Sequence, residues 1–178
     1  MKFKDNETRL LFLKYALPCA PTLVKRGLVS QYEIKNLVKN ISQREKVLTR
    51  PEKIFKTANS MCARIAKNLG KKCVDKEVIR KYFLFEHDKV VDKRYDAFRD
   101  FDAMRCRTFA GKVLDANKTI VQTLTGKKKY RDDFVLGLKK GDYVVIHRNF
   151  VVEKVNERLA RNLWKLKQIY FKSNKIKI

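Results

Sequence analysis

Residues 106–113 read CRTFAGKV, and the periodicity of the chain changes on them. Upstream, apolar residues recur every three or four positions. Downstream they alternate with polar ones. The first pattern belongs to amphipathic helices and the second to half-buried strands. This stretch therefore sets the expected fold class: α+β, with a helical region first and a small β unit beginning near Thr108. It also poses a chemical question, because Cys106 stands just ahead of the first expected strand, between Arg105 and Arg107. Adjacent cations favour the thiolate over the thiol, which makes a better metal ligand and nucleophile.

Upstream of Cys106 the signals are helical. ETRLLFLKYAL (7–17) is amphipathic and stops at Pro18. SQYEIKNLVKNI (30–41) opens with Ser30 three places before Glu33, the spacing of a capping box. TRPEKIFKTANSMCARIAKNLG (49–70) predicts one long helix, with Thr49 as cap, Pro51 in the first turn and Gly70 just past the end. Its apolar stripe runs Ile54, Phe55, Ala58, Met61, Cys62, Ile65, Leu69, which makes Cys62 a packing residue. VDKEVIRKYFLFEH (74–87) predicts another helix capped by Asp75. Residues 86–105 are dense in both charges and read as a salt-bridged helix or a charged connector. The expected boundary lies there, giving a helical domain over 1–100 and a β unit over 105–178.

Downstream, five short strands are expected: TFAGKVLDA (108–116), TIVQTLT (119–125), KKYRDDFVL (128–136), DYVVIH (142–147) and FVVEKV (150–155). Turn signals separate them at 116–118, 126–127, 140–142 and 147–149. Five strands joined by tight turns predict a small closed or nearly closed barrel, since closure removes exposed edges. The last element, NERLARNLWKLKQIYFKSN (156–174), predicts an amphipathic helix. Leu159, Leu163, Leu166 and Tyr170 form its apolar arc, and Arg158, Arg161, Lys165 and Lys172 a basic one.

Composition narrows the function classes. The 178 residues carry 43 Lys and Arg against 19 Asp and Glu, a net charge of +24. The excess is +12 in residues 1–105 and +12 in the shorter 106–178. Such a field attracts polyanions or acidic proteins. No run of apolar residues reaches a membrane span, and the apolar stretch near the start is broken by Lys14, so a cytoplasmic protein is expected. The four cysteines, Cys19, Cys62, Cys73 and Cys106, contain no C-x-x-C pair and are expected to be thiols. Their spacing does not call for a zinc site made from Cys19, Cys62 or Cys73 with His87. No glycine-rich phosphate loop or metalloprotease helix is present, and a non-enzymatic protein is expected.

Two blocks carry a resemblance. The first is Cys106, four residues, then Gly111-Lys112-Val113. The second is KKGDYVVIHRNFVVEKVNE (139–157), in which Gly141, Asp142, Tyr143, Val144, His147, Phe150 and Lys154 fall in register. Together, over about residues 104–166, they resemble the HypC/HupF family of hydrogenase maturation chaperones. The family pattern has a proline where this chain has Ala110, and a glycine where it has Asn149. Its cysteine follows the initiator methionine, whereas Cys106 is internal. The helical stretches 12–21, 75–87 and 163–174 in turn resemble an uncharacterised prokaryotic family that fuses a helical region to a HypC-like end.

The resemblance implies an OB-like barrel followed by a helix. It implies an accessory chaperone that docks on protein partners, namely a maturation scaffold or a hydrogenase large subunit. No resident cofactor is implied. Iron would be held transiently, with Cys106 and His147 as candidate ligands. A thiolate and an imidazole both suit iron, but two ligands do not close a site, so a partner would supply the rest. The alternative is binding of RNA or single-stranded DNA on a basic OB-like barrel. Lys127, Lys128, Lys129, Tyr130 and Arg131, with Arg158, Arg161 and Lys165 on the last helix, are the candidate contacts for either a nucleic acid or an acidic partner protein.

Overall fold

The computed structural model describes residues 2–43, 45, 47, 51–97 and 103–174. The chain divides into two compact units, Met1–Cys106 and Arg107–Ile178. The first is helical and the second is a β-sheet with one long helix, so the class is α+β.

In the first unit, α1 (Asn6–Ala16) is capped by Asp5, whose carboxylate accepts from the Thr8 N–H at 2.7 Å. Pro18 turns the chain through a short 3₁₀ segment into α2 (Ala20–Lys25). The expected capping box is present on α3 (Gln31–Ser42): the Ser30 hydroxyl accepts from the Glu33 N–H, and the Glu33 carboxylate accepts from the Ser30 N–H.

The long helix expected over 49–70 is two pieces. Residues 51–53 form a 3₁₀ turn, and α4 starts only at Lys56 (Lys56–Asn68). Phe55 breaks the run. Its φ of −87° and ψ of 56°, with the Lys56 N–H donating to the Ile54 carbonyl, make an inverse γ-turn that sends the ring into the core. The cap expected at Thr49 lies outside the described residues. Cys62 is fully buried on α4, as its stripe predicts.

The next helix runs further than expected and is not uniform. α5 (Lys76–Arg80), capped by Asp75, passes into a π-helical segment over Lys81–Glu86, and then into α6 (His87–Ala97). The core gathers on this rod. Phe83 stacks on Tyr15 with ring centroids 4.9 Å apart and meets Phe12 edge-on at 6.0 Å. A short helix, α7 (Ala103–Cys106), ends the unit.

The second unit is a five-stranded antiparallel sheet. Its strands are β1 (Thr108–Asp115), β2 (Ile120–Thr123), β3 (Gly126–Lys129), β4 (Tyr143–His147) and β5 (Phe150–Val155), in the order β3-β2-β1-β4-β5. Four strands fall where alternation places them. The third does not, because Gly126, read as part of a turn, is its first residue. With φ at 104°, Gly126 closes the turn against Thr123, and the chain after Lys129 leaves the ladder. Arg131 makes one parallel bridge to Phe150.

α8 (Glu157–Ser173) packs on β1 and β4, capped by the Asn156 side chain. Its buried stripe is Ala160, Leu163, Lys167 and Phe171, one step round from the predicted arc. The Lys167 stem lies in the interface with its ammonium 5.9 Å over the Phe109 ring. A long stem can bury its methylenes there and leave Leu166 and Ile169 outside.

Candidate functional site

The residues that carry the family resemblance first explain the sheet. A Cβ on Gly111 would stand 2.5 Å from Val121 Cγ1 and 2.9 Å from the Gln122 carbonyl, so β1 and β2 approach each other only because that position is glycine. Gly141 has φ of 93°, in the glycine region. Asp142 accepts from the Lys139 N–H at 2.8 Å and pairs with Lys154 at 2.7 Å, and Lys154 also donates to the Gly137 carbonyl. The Lys154 ammonium is the main cause that holds the Asp142 carboxyl below its ordinary value. The Tyr143 hydroxyl donates to Glu157 at 2.8 Å, tying β4 to the first turn of α8. Five positions of the pattern thus fix turns and strand approach.

Cys106 and His147 are both buried. Cys106, 2% exposed, is the last residue of the first unit. His147 is the last residue of β4 in the second unit, paired across the ladder with Thr108 and without solvent exposure.

The candidate surface residues sort into two sets. Tyr130 is buried. Arg131 forms a fork on the Asp133 carboxylate at 2.6 and 2.9 Å, with its guanidinium 4.6 Å from the Phe150 centroid. Phe150 also stacks on Phe134 with ring centroids 4.9 Å apart. Tyr143 is approached by the Lys112 ammonium at 5.5 Å. These rings are already engaged within the protein. Arg161 pairs with Glu157 one turn earlier.

The second set is exposed and has no ion pair among the described residues: Lys127, Lys128, Lys129, Arg158 and Lys165. The three lysines occupy β3, an edge strand, where charge also blocks edge-to-edge pairing. On α8, Arg158 and Lys165 share a face with Leu166, 47% exposed, and Ile169, 61% exposed. At 100° per residue Ile169 falls within about 40° of both cations, with Leu166 further round, so the stripe is mixed basic and apolar.

The first unit contains a cavity of about 450 Å³. Its helical walls are stripes at three- and four-residue spacing: Cys19, Thr22, Leu23 and Arg26 on one side, and His87, Val90, Val91 and Arg94 on the other. Phe55 and Phe83 are buried in its lining, and Cys106 lines it too. Cys19 is half-buried and His87 buried, and the Cys19 sulfur lies within 4.8 Å of a His87 ring nitrogen. The sequence offers Cys19 as one of three cysteines that could join His87, but no spacing singles it out, because the two residues lie far apart in the chain and nothing local joins them.

Among the described residues, no helix is long and apolar enough to cross a membrane. Comparison with models of protein families, with curated proteins and with solved structures finds no match for this chain.

Proposed function

We propose that this chain is an accessory protein of the HypC/HupF kind, whose second unit docks on a partner protein through α8. The observation that carries this reading is the mixed stripe of Arg158, Lys165, Leu166 and Ile169. Exposed aliphatics beside cations suit a protein surface that is itself acidic and apolar. A single-stranded nucleic acid needs open aromatic faces for its bases, and in the sheet unit Phe150 is already engaged by Arg131 and Phe134.

Two further observations support the family reading. The strand order of the open sheet, with one parallel bridge between Arg131 and Phe150, is compatible with an OB-like barrel, a fold that is itself partly open. Cys106 lines a cavity, which agrees with a thiol that takes part in chemistry and gives it a donor role if iron is carried.

The test is an anaerobic pull-down from native extract with wild type, Ile169→Asp and Lys127–Lys129→Ala, each with and without nuclease. Protein partners that survive nuclease and are lost with Ile169→Asp are the expected result. Nucleic acid captured by wild type, lost with the lysine variant and kept by Ile169→Asp, would replace docking with polyanion binding.

A further inference from the structure

We infer that the cavity of the helical unit is a metal site for a borderline divalent cation of the zinc and iron class, with Cys19 and His87 as its protein ligands. Sulfur and imidazole nitrogen together select such ions over magnesium or calcium. A tetrahedral ion held at about 2.3 Å by sulfur and about 2.0 Å by nitrogen sets those donors roughly 3.5 Å apart. The pair here lies within 4.8 Å, and a small rotation of the half-buried Cys19 closes the difference.

A second feature points to the same place. The π-helical segment Lys81–Glu86 ends immediately before His87. π-Helical turns are rare and concentrate at functional sites, because the extra residue in the turn rotates everything after it. Here the i→i+5 turn brings His87 round toward Tyr82, from which an α-helix would set it about 140° away, and Tyr82, Phe83 and His87 all line the cavity. The His87 ring is held by Tyr82 and Phe83, each with centroids 5.7 Å away. The imidazole is thus fixed, as a ligand must be to bind at low entropic cost.

The surroundings define the kind of site. Cys19 and His87 are two of the four ligands a tetrahedral ion takes, so by themselves they do not make a closed structural centre. Arg26 and Arg94 line the same cavity, and their charge suits an anionic group bound there. Of the other thiols, Cys62 is pushed up to about 12 by burial and is a poor donor at neutral pH. This inference needs no partner protein and stands apart from the docking reading.

The test uses the full chain, reduced and anaerobic, titrated with Co²⁺ and then displaced by Zn²⁺. One equivalent of Co²⁺ with a near-ultraviolet thiolate charge-transfer band is expected. Cys19→Ser should abolish the band, Cys73→Ser should leave it, and His87→Gln should weaken binding at least about tenfold. Circular dichroism of each apo variant separates ligand loss from misfolding, and the half-buried Cys19 makes its serine variant the decisive one. Absence of a saturable band in wild type, or a band unchanged in a folded Cys19→Ser, overturns the assignment, and neither result bears on partner docking.

Discussion

The two units solve the same problem by different means. The helical unit is held by aromatic side chains: Phe12, Tyr15, Tyr82 and Phe83 meet in one cluster around a distorted helix. The sheet unit is held by what its backbone can do at a few positions, namely the bare Gly111 between β1 and β2 and the Asp142–Lys154 tie across a turn. A core made of large rings fails when volume is removed. A sheet built on close approach fails when volume is added.

That contrast is sharpest at its largest effect. Phe83→Ala removes a fully buried ring that touches Phe12, Tyr15 and Tyr82, and a cost of about 3–5 kcal/mol is expected. Urea unfolding followed by helical circular dichroism measures it, and a loss below about 1 kcal/mol would show that the cluster is not the mainstay of its unit. Gly111→Ala is the opposite experiment. One added methyl meets a side chain and a backbone oxygen, and the strands must part, at a cost of about 1–3 kcal/mol. The single tryptophan, Trp164 on α8, reports this transition by fluorescence. A neutral Gly111→Ala would break the comparison.

The legible part of the fold follows from where local chemistry decides. Ser30 and Glu33 form the capping box that their spacing predicts, and Asp75 caps its helix. Ser30→Ala accordingly should cost about 1 kcal/mol in the helical transition, more than a surface change and less than either substitution above. The misread parts are those where tertiary packing overrides a local signal. Phe55 leaves the helical path to bury its ring, and Lys167 takes a core position that a hydrophobicity count assigns to Leu166. The π-helical turn is not signalled by periodicity, because six residues, most of them apolar, are too short a window to tell its repeat from that of an α-helix. The chemistry was the least legible. Cys106 and His147 stood out because a motif framed them, whereas Cys19 and His87 are neighbours only after folding.

The smallest expected effect separates scaffold from function within the motif itself. If Asp142 serves only to fasten the turn, its charge matters through Lys154 alone. Its carboxyl is held below the ordinary value of 3.8, chiefly by the Lys154 ammonium. The unfolded chain therefore binds more protons than the folded one as pH falls, and folding is favoured where the group is ionised in both states. The contribution is complete above about pH 5, and it is lost as pH drops below 3.8 through the folded value. Asp142→Asn keeps an oxygen for the Lys139 N–H and removes only the charge. At pH 7 it should lower stability by about 0.2–1 kcal/mol, the range of a partly exposed pair. The gap to wild type, read from Trp164 in urea, should narrow steadily as pH falls below about 5, because protonation then does to wild type what the substitution did. A gap that stays constant with pH would mean that Asp142 acts through shape, and that the Asp142–Lys154 pair contributes nothing to the tie.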